Sequence, residues 1–100
     1  MINLNIFEIV GSFGEDKDAA ARLREAVIKP TIQGKEEIII DFLGVTLVTQ
    51  SFIHALISDV LRTNGEDALD FMDFKNCDAV VKGIISTVIQ YSLDTMDAQI

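Results

Sequence analysis

Residues 38–52 read IIIDFLGVTLVTQSF, and this stretch decides which fold the chain can adopt. Its three consecutive isoleucines leave the strand predicted over 37–42 without a polar face, which is typical of a strand covered on both sides in a parallel or mixed sheet. Gly44 then turns the chain, and apolar residues recur at intervals of three and four from Ser51 to Arg62. That spacing predicts a helix of about 18 Å, with Asn64-Gly65 at its end.

The regions on either side of this stretch add two strands and two helices. Over residues 2–7, Ile2, Leu4 and Ile6 alternate with Asn3, Asn5 and Phe7, which predicts a first strand that the glycine-containing segment 11–14 ends. A first helix is predicted from Lys17 to Lys29, with Pro30 as its stop. A third strand is predicted over 68–74 and a third helix over 80–89, with Asn76 or Asp78 as the N-cap.

Strands and helices therefore alternate along the whole chain, which predicts an α/β fold with a mixed or parallel sheet, helices packed against it, and right-handed crossovers. The sequence contains no internal repeat, low-complexity tract or linker. A length of 100 residues suits one hydrophobic core. We expect a single domain over residues 1–100.

The charge balance bears on the class of partner. Sixteen acidic and eight basic residues give a formal net charge of −8, so a phosphate backbone or an anionic membrane would be repelled. A basic protein surface would instead be attracted during encounter. The composition argues against nucleic acid and membrane as partners.

Cys77 is the only cysteine, so no intrachain disulfide and no zinc site with several thiolates can form. Residues 1–5 lack the basic leader of a signal peptide, and every apolar run is much shorter than the roughly 20 residues that cross a bilayer. We expect a cytoplasmic protein.

Motifs for cofactors, metals and catalysis are missing. Gly11 and Gly14 complete neither phosphate-binding glycine motif, and residues 15–18 lack the ligand spacing of a calcium loop. His54 is the only histidine and has no acidic cluster near it in sequence. Asp41, Ser51 and His54 are residue types used in acyl transfer, but the combination is common by chance. We therefore expect no cofactor, no metal and no enzymatic activity.

The stretch 38–52 resembles the STAS superfamily, the fold of the bacterial anti-sigma-factor antagonists. In that pattern a strand with the form "hydrophobic run, Asp-Leu, x, x, Val" precedes Asp-Ser-Ser/Thr-Gly and a helix. Without a gap, Asp41 and Val45 take the strand positions, and Thr49, Gln50, Ser51 and Phe52 fall on the four motif positions. The chain is more similar to a STAS-like branch of uncharacterised bacterial proteins, in which Ser-Phe opens the helix, and this likeness covers Gly11 to about Leu93.

The resemblance implies a single-domain STAS-like fold and a regulatory module of the partner-switching kind, without catalysis. The loop and helix start at 49–54 would dock against a kinase or ATPase of the histidine-kinase-like fold, with Thr49, Gln50, Ser51, Phe52 and His54 as the contact residues. In the antagonists, phosphorylation of the motif serine abolishes docking. Here Gln50 occupies that position, so Ser51 is the candidate phosphoacceptor.

Each of these residues has a second interpretation. Ser51 is a natural helix N-cap, a role that Thr49 or Gln50 could also take. Phe52 fits a core position, and His54 is predicted to share a solvated helix face with Ser58 and Arg62. Cys77 is interpreted as a small structural residue.

A small-ligand or nucleotide sensor is the alternative function, because STAS-like domains also occur in that role and α/β sheets bind ligands at strand carboxyl ends. A concave pocket near residues 42–51 would favour it. The sequence leaves the oligomeric state open, and the apolar end at Ile100 is compatible with a larger assembly.

Overall fold

The computed structural model describes residues 1–97, and Ile100 lies outside the described residues. Five strands are present in this part of the chain: β1 (Ile2–Asn5), β2 (Phe13–Gly14), β3 (Ile38–Asp41), β4 (Leu47–Val48) and β5 (Met72–Lys75). The helices are α1 (Phe7–Val10), α2 (17–33), α3 (50–64) and α4 (Ala79–Asp97), and a 3₁₀ helix covers Glu66–Phe71. The α/β prediction is confirmed.

Three strands form a parallel sheet in the order β1-β3-β5, and β2 and β4 form a separate parallel pair. The pairing sets Leu4 beside Ile40 and Ile40 beside Phe74, so these side chains share one face of the sheet. Leu4 and Ile40 are buried in one apolar cluster that also contains residues of α2, α3 and α4. The core therefore lies between this face and the helices.

The opposite face of the sheet is open to solvent. It carries Asn3, Ile39 and Asp73 in one row, of which Asn3 and Asp73 are exposed and Ile39 is half-buried. The prediction that both faces of β3 are covered is wrong for this reason. The neighbours of Ile39 are polar, so no second core forms there.

Pro30 does not end the first helix, contrary to the prediction. Helix α2 consists of Lys17–Leu23, a π-helical turn at Arg24–Ile28, and Lys29–Gln33. In the π turn the Lys29 N–H donates to the carbonyl of Arg24, five residues back. A wider turn accommodates a proline, whose ring and missing N–H disrupt a regular α-helix.

Helix α3 follows the prediction more closely. It consists of Gln50–Ile53, a π turn at His54–Ser58, and Asp59–Asn64. Gly65 ends it with a positive φ of 74°, and its N–H donates to the Leu61 carbonyl at 2.7 Å. The expected end at Asn64-Gly65 is confirmed.

Other predictions around the third strand need correction. The segment Glu66–Phe71 is a 3₁₀ helix rather than the start of a strand, and β5 begins only at Met72. The N-cap of α4 is Asp78, whose Oδ1 accepts from the Val81 N–H at 2.9 Å. Helix α4 extends to Asp97, well beyond the predicted end at residue 89. No helix in the described part of the chain is both long and apolar enough to span a bilayer.

Candidate functional site

The start of helix α3 is fixed by Thr49, not by Ser51. Thr49 has an extended backbone (φ −88°, ψ 155°), and its Oγ1 accepts a hydrogen bond from the Phe52 N–H at 3.0 Å. Its own N–H donates to the Gly14 carbonyl at 2.9 Å, which ties the helix start to β2. The interpretation of Ser51 as the cap is wrong, since the first helical residue is Gln50.

The side chains of Gln50 and Ser51 therefore do not cap the helix. Both side chains are exposed, and the Ser51 hydroxyl makes no hydrogen bond within the described residues. The first turn of a helix presents unpaired N–H groups and a positive end of the helix dipole. A polar surface of this kind suits recognition by a partner or modification of the hydroxyl.

Phe52 has the opposite environment. Its side chain is fully buried in the core, as the helical spacing predicted, and therefore offers no surface to a partner. It packs beneath Gly14, where an added Cβ would lie 3.3 Å from the Phe52 ring and 3.1 Å from Val48. Phe52 contributes to the site by holding the helix start against the β2–β4 pair.

His54 lies in a groove beside the helix start. The groove has a volume of about 470 Å³, and its lining residues are Lys17, Gln50, Ser51, His54, Ala55 and Tyr91. The His54 and Tyr91 rings are tilted by 52° with centroids 6.0 Å apart. Sequence spacing did not reveal Lys17 or Tyr91, because they come from α2 and α4 and meet α3 only in the folded chain.

The groove continues between α2 and α3 past His54 and Ala55. Its second stretch is lined by charged residues that include Arg24, Lys29 and Arg62, so the two stretches together hold four of the eight basic residues of the chain. Lys29 lies 3.2 Å from Asp59, and this hydrogen bond is the main cause of a raised Lys29 pKa. Glu25 and Asp59 line the same stretch and pair with Arg24 and Lys29, so the groove carries both signs of charge.

Ser58 does not share a solvated face with His54, contrary to the prediction. It is buried, and its Oγ accepts from the Ser92 Oγ of α4 at 3.1 Å. The π turn at His54–Ser58 explains this difference, because the extra residue in the turn shifts the regular spacing of three and four. Arg62, further along α3, is exposed.

Asp41 links the ends of two strands instead of facing Ser51 and His54. Its Oδ1 accepts from the Leu43 N–H and from Asn76 Nδ2, both at 2.9 Å. The Asn76 hydrogen bond, supported by the Leu43 bond and the nearby charge of Lys75, lowers the pKa of the Asp41 carboxyl. In the described residues no hydrogen bond joins Asp41, Ser51 and His54, so these three do not form a relay.

Cys77 is half-buried next to this junction, and burial is the main cause of its raised thiol pKa, with the charges of Asp78 and Asp41 acting in the same direction. A raised pKa leaves less thiolate at neutral pH. Within the described residues there is no group of three His, Cys, Asp or Glu side chains placed to hold a metal ion.

A set of exposed apolar side chains lies beside the helix start and was missed by the sequence interpretation. We name it the apolar ribbon, and its members are Phe7, Ile9, Phe13, Leu43 and Leu47. The exposure of Phe7 could have been predicted, because the alternation in the first strand places Phe7 on the same side as Asn3 and Asn5. The others lie in short segments without periodicity, where spacing carries no information on burial.

Comparisons with known proteins identify one family. A family model described as a STAS-like domain of unknown function (DUF4325) matches residues 19–82, which include the helix start at 49–54. Neither the curated proteins nor the solved structures gave a match.

Proposed function

Because the chain belongs to the family of STAS-like domains of unknown function, we propose that it is a non-catalytic regulatory module that docks to a protein partner in the cytoplasm. The docking site is the loop and helix start at 49–54, where Gln50, Ser51 and His54 provide the contact surface. Thr49 and Phe52 hold that surface in place. One observation carries the proposal: in the first turn of α3, the Gln50 and Ser51 side chains are exposed and, within residues 1–97, make no hydrogen bond that stabilises the fold. The Thr49 cap and the buried Phe52 hold this turn in place.

The partner that we propose is a kinase or ATPase of the histidine-kinase-like fold, as in the STAS antagonists that the sequence resembles. Support comes from the position of the site: the residues aligned with the antagonist motif are the ones that open helix α3. The acidic net charge of −8 also favours a basic protein surface over a nucleic acid.

Ser51 is the proposed phosphoacceptor. Its hydroxyl is exposed and does not cap the helix, so a phosphate could be added without loss of a native hydrogen bond. Phosphate adds a charge of about −1.5 to −2, and its location in the first turn is compatible with the helix dipole. Phosphorylation would therefore change the docking surface by charge and bulk while leaving the fold intact.

Co-elution with a histidine-kinase-like ATPase from the same genome tests this proposal. Wild type should form a complex, whereas Gln50→Arg and Ser51→Glu should weaken it by about tenfold or more, as expected for central interface positions. Ser86→Glu is the matched control, since Ser86 is an exposed serine of α4 outside the groove. Mass spectrometry after co-expression with ATP should find phosphate on Ser51. The proposal is wrong if wild type binds none of the ATPases or if Ser51→Glu and Ser86→Glu bind alike.

The groove supports a second candidate function, a sensor for a small ligand or nucleotide. Its volume of about 470 Å³ lies within the range of small-molecule sites, and Lys17, Ser51 and His54 offer groups that can bind an anion. A thermal-shift screen of nucleotides and phosphorylated metabolites tests it. A stabilising ligand should lose its effect in Lys17→Ala but keep it in Lys35→Ala, an exposed lysine outside the groove. Absence of any stabilising compound would eliminate the sensor.

A further inference from the structure

The apolar ribbon is a strip of side chains carried by two neighbouring segments, 7–14 and 42–49. The Phe7 ring covers Gly44, where an added Cβ would lie 2.9 Å from the ring. Further along, the Thr46 N–H donates to the Ser12 carbonyl at 2.9 Å, and Phe13 pairs with Leu47 in the β2–β4 ladder. The strip therefore belongs to a fixed backbone framework.

Large apolar side chains concentrate on this strip. Of the nine such side chains that are exposed in the described part of the chain, five belong to the apolar ribbon, with exposed fractions from 40% to 63%. Apolar residues scattered singly on a surface are ordinary, whereas exposed apolar side chains concentrated on neighbouring segments are typical of a site that another molecule covers. The location at the carboxyl ends of β1 and β3 sets the ribbon beside the helix start.

Charge decides which molecule fits. Residues 7–18 and 41–51, which carry the ribbon and its borders, contain five carboxylates and a single lysine. Glu8 and Glu15 are exposed at these borders. A second copy of this chain would bring the same negative charge against itself, and anionic membranes and nucleic acids would be repelled for the same reason. A positively charged protein surface is complementary.

We infer that the apolar ribbon is the central part of the docking face, and that it binds a protein segment whose apolar side chains are bordered by Lys and Arg. This inference rests on the proposed function and adds the chemistry of the partner to it. The Thr49–Gly14 hydrogen bond joins the end of the ribbon to the helix start, so one partner surface can cover both.

Two labelled peptides test the chemistry by fluorescence anisotropy. One is an amphipathic peptide with a Leu/Phe face bordered by Lys and Arg, and the other has Glu in place of every Lys and Arg. Wild type should bind the basic peptide at least about tenfold more tightly, since like charges across an interface are strongly unfavourable. The affinity of wild type for the basic peptide should fall with added salt. This dependence of affinity on salt concentration should be weaker in the Glu8→Gln/Glu15→Gln variant.

Variants of the ribbon test its location. Leu43→Ser/Leu47→Ser should weaken binding of the basic peptide by about tenfold. Val80→Ser, which replaces an exposed apolar residue of α4, should leave this affinity unchanged. Circular dichroism should show all variants folded. Equal binding of the two peptides, unchanged binding by the ribbon variant, or a wild-type dimer that the ribbon variant dissociates in sedimentation velocity would each overturn the inference.

The ATPase complex separates this inference from the proposed function. If Ser51→Glu abolishes the complex while Leu43→Ser/Leu47→Ser leaves it intact, the inference is wrong and the proposed function stands. If no ATPase binds wild type but the basic peptide binds in a ribbon-dependent way, the proposed function is wrong and the inference stands.

Discussion

Thr49 is the residue on which the geometry of the docking surface depends, since its hydroxyl accepts from the Phe52 N–H at 3.0 Å. We expect Thr49→Ala to lower the free energy of unfolding by about 1 kcal/mol, which is the usual cost of a lost N-cap. Thr49→Ser keeps a capping hydroxyl and should retain most of this stability. Ser51→Ala should change it by less than about 0.5 kcal/mol, as for an ordinary surface site. Urea denaturation measures all three, and an equal loss in Thr49→Ala and Ser51→Ala would contradict the assignment of the cap.

The environment of each site residue could be predicted from sequence only where spacing determines it. The burial of Phe52 follows from its place in the apolar stripe of α3, and it is confirmed. The cap could not be chosen in this way, because Thr49 and Ser51 are both good caps and lie two residues apart. What distinguishes them is the extended backbone of Thr49, which the pairing of β2 with β4 imposes from a distant part of the chain.

Asn76 carries a prediction on pH. Its side chain donates to Asp41 and is the largest cause of the lowered Asp41 pKa, while its own φ of 58° is in the left-handed region. Asn76→Gly tolerates that backbone but loses the hydrogen bond, so the Asp41 pKa should rise. Carboxyl chemical shifts in an NMR titration measure this directly.

The sign of the effect on stability follows from the lowered pKa. A carboxyl with a depressed folded pKa contributes stability above its unfolded pKa, near 3.8 for Asp41, and loses it as the pH falls through the folded value. Asn76→Gly should therefore be less stable than wild type at neutral pH, and the difference should shrink in acid. A constant difference between pH 7 and pH 2 would contradict the role of Asp41.

At the scale of elements, helices α2 and α3 are joined where both contain a π turn. Arg24 begins the π turn of α2, and its Nη1 donates to the Ala55 carbonyl within the π turn of α3 at 3.0 Å. A π turn misaligns the carbonyls of a regular helix and leaves some of them accessible to an outside donor. Arg24 therefore acts as a link between α2 and α3 along the wall of the groove.

Arg24→Ala should lower the free energy of unfolding by roughly 1–2 kcal/mol, because the side chain is partly buried and its hydrogen bond crosses between helices. Arg22→Ala is the matched control, since Arg22 is exposed on the same helix, and its effect should be near zero. Arg24→Lys should recover only part of the loss, since a lysine lacks the planar fork of the guanidinium. Urea denaturation decides the question, and equal effects of Arg22→Ala and Arg24→Ala would contradict the link.

Elements with strong periodicity were predictable, and elements that depend on pairing were not. β1 follows from alternation, β3 from its unbroken run of isoleucines, and α3 from helical spacing. β2 and β4 have two residues each and exist only through their mutual pairing. The pattern of apolar residues over 68–74 is compatible with a strand and with a short helix, so the sequence did not reveal the 3₁₀ helix at Glu66–Phe71. Pro30 was misread because the neighbouring π turn is set by packing against α3.

At the scale of the whole molecule, acidity and the apolar ribbon oppose each other. With a sequence pI near 4.3, the chain is strongly negative at neutral pH, and this charge opposes the association of copies that each expose five large apolar side chains in one strip. As the pH approaches 4.3 the repulsion disappears, while the apolar surface remains and favours association. Light scattering should therefore show self-association near this pH and little of it at pH 7.

The variants of the ribbon make this prediction specific. Leu43→Ser/Leu47→Ser should reduce the scattering near pH 4.3, because it removes two of the five ribbon side chains, whereas Val80→Ser should scatter like wild type. Circular dichroism at the same pH must show folded protein, since acid unfolding would expose the core and cause association by another route. Equal scattering by both variants would mean that charge alone governs solubility and that the ribbon promotes association no more than the rest of the surface does.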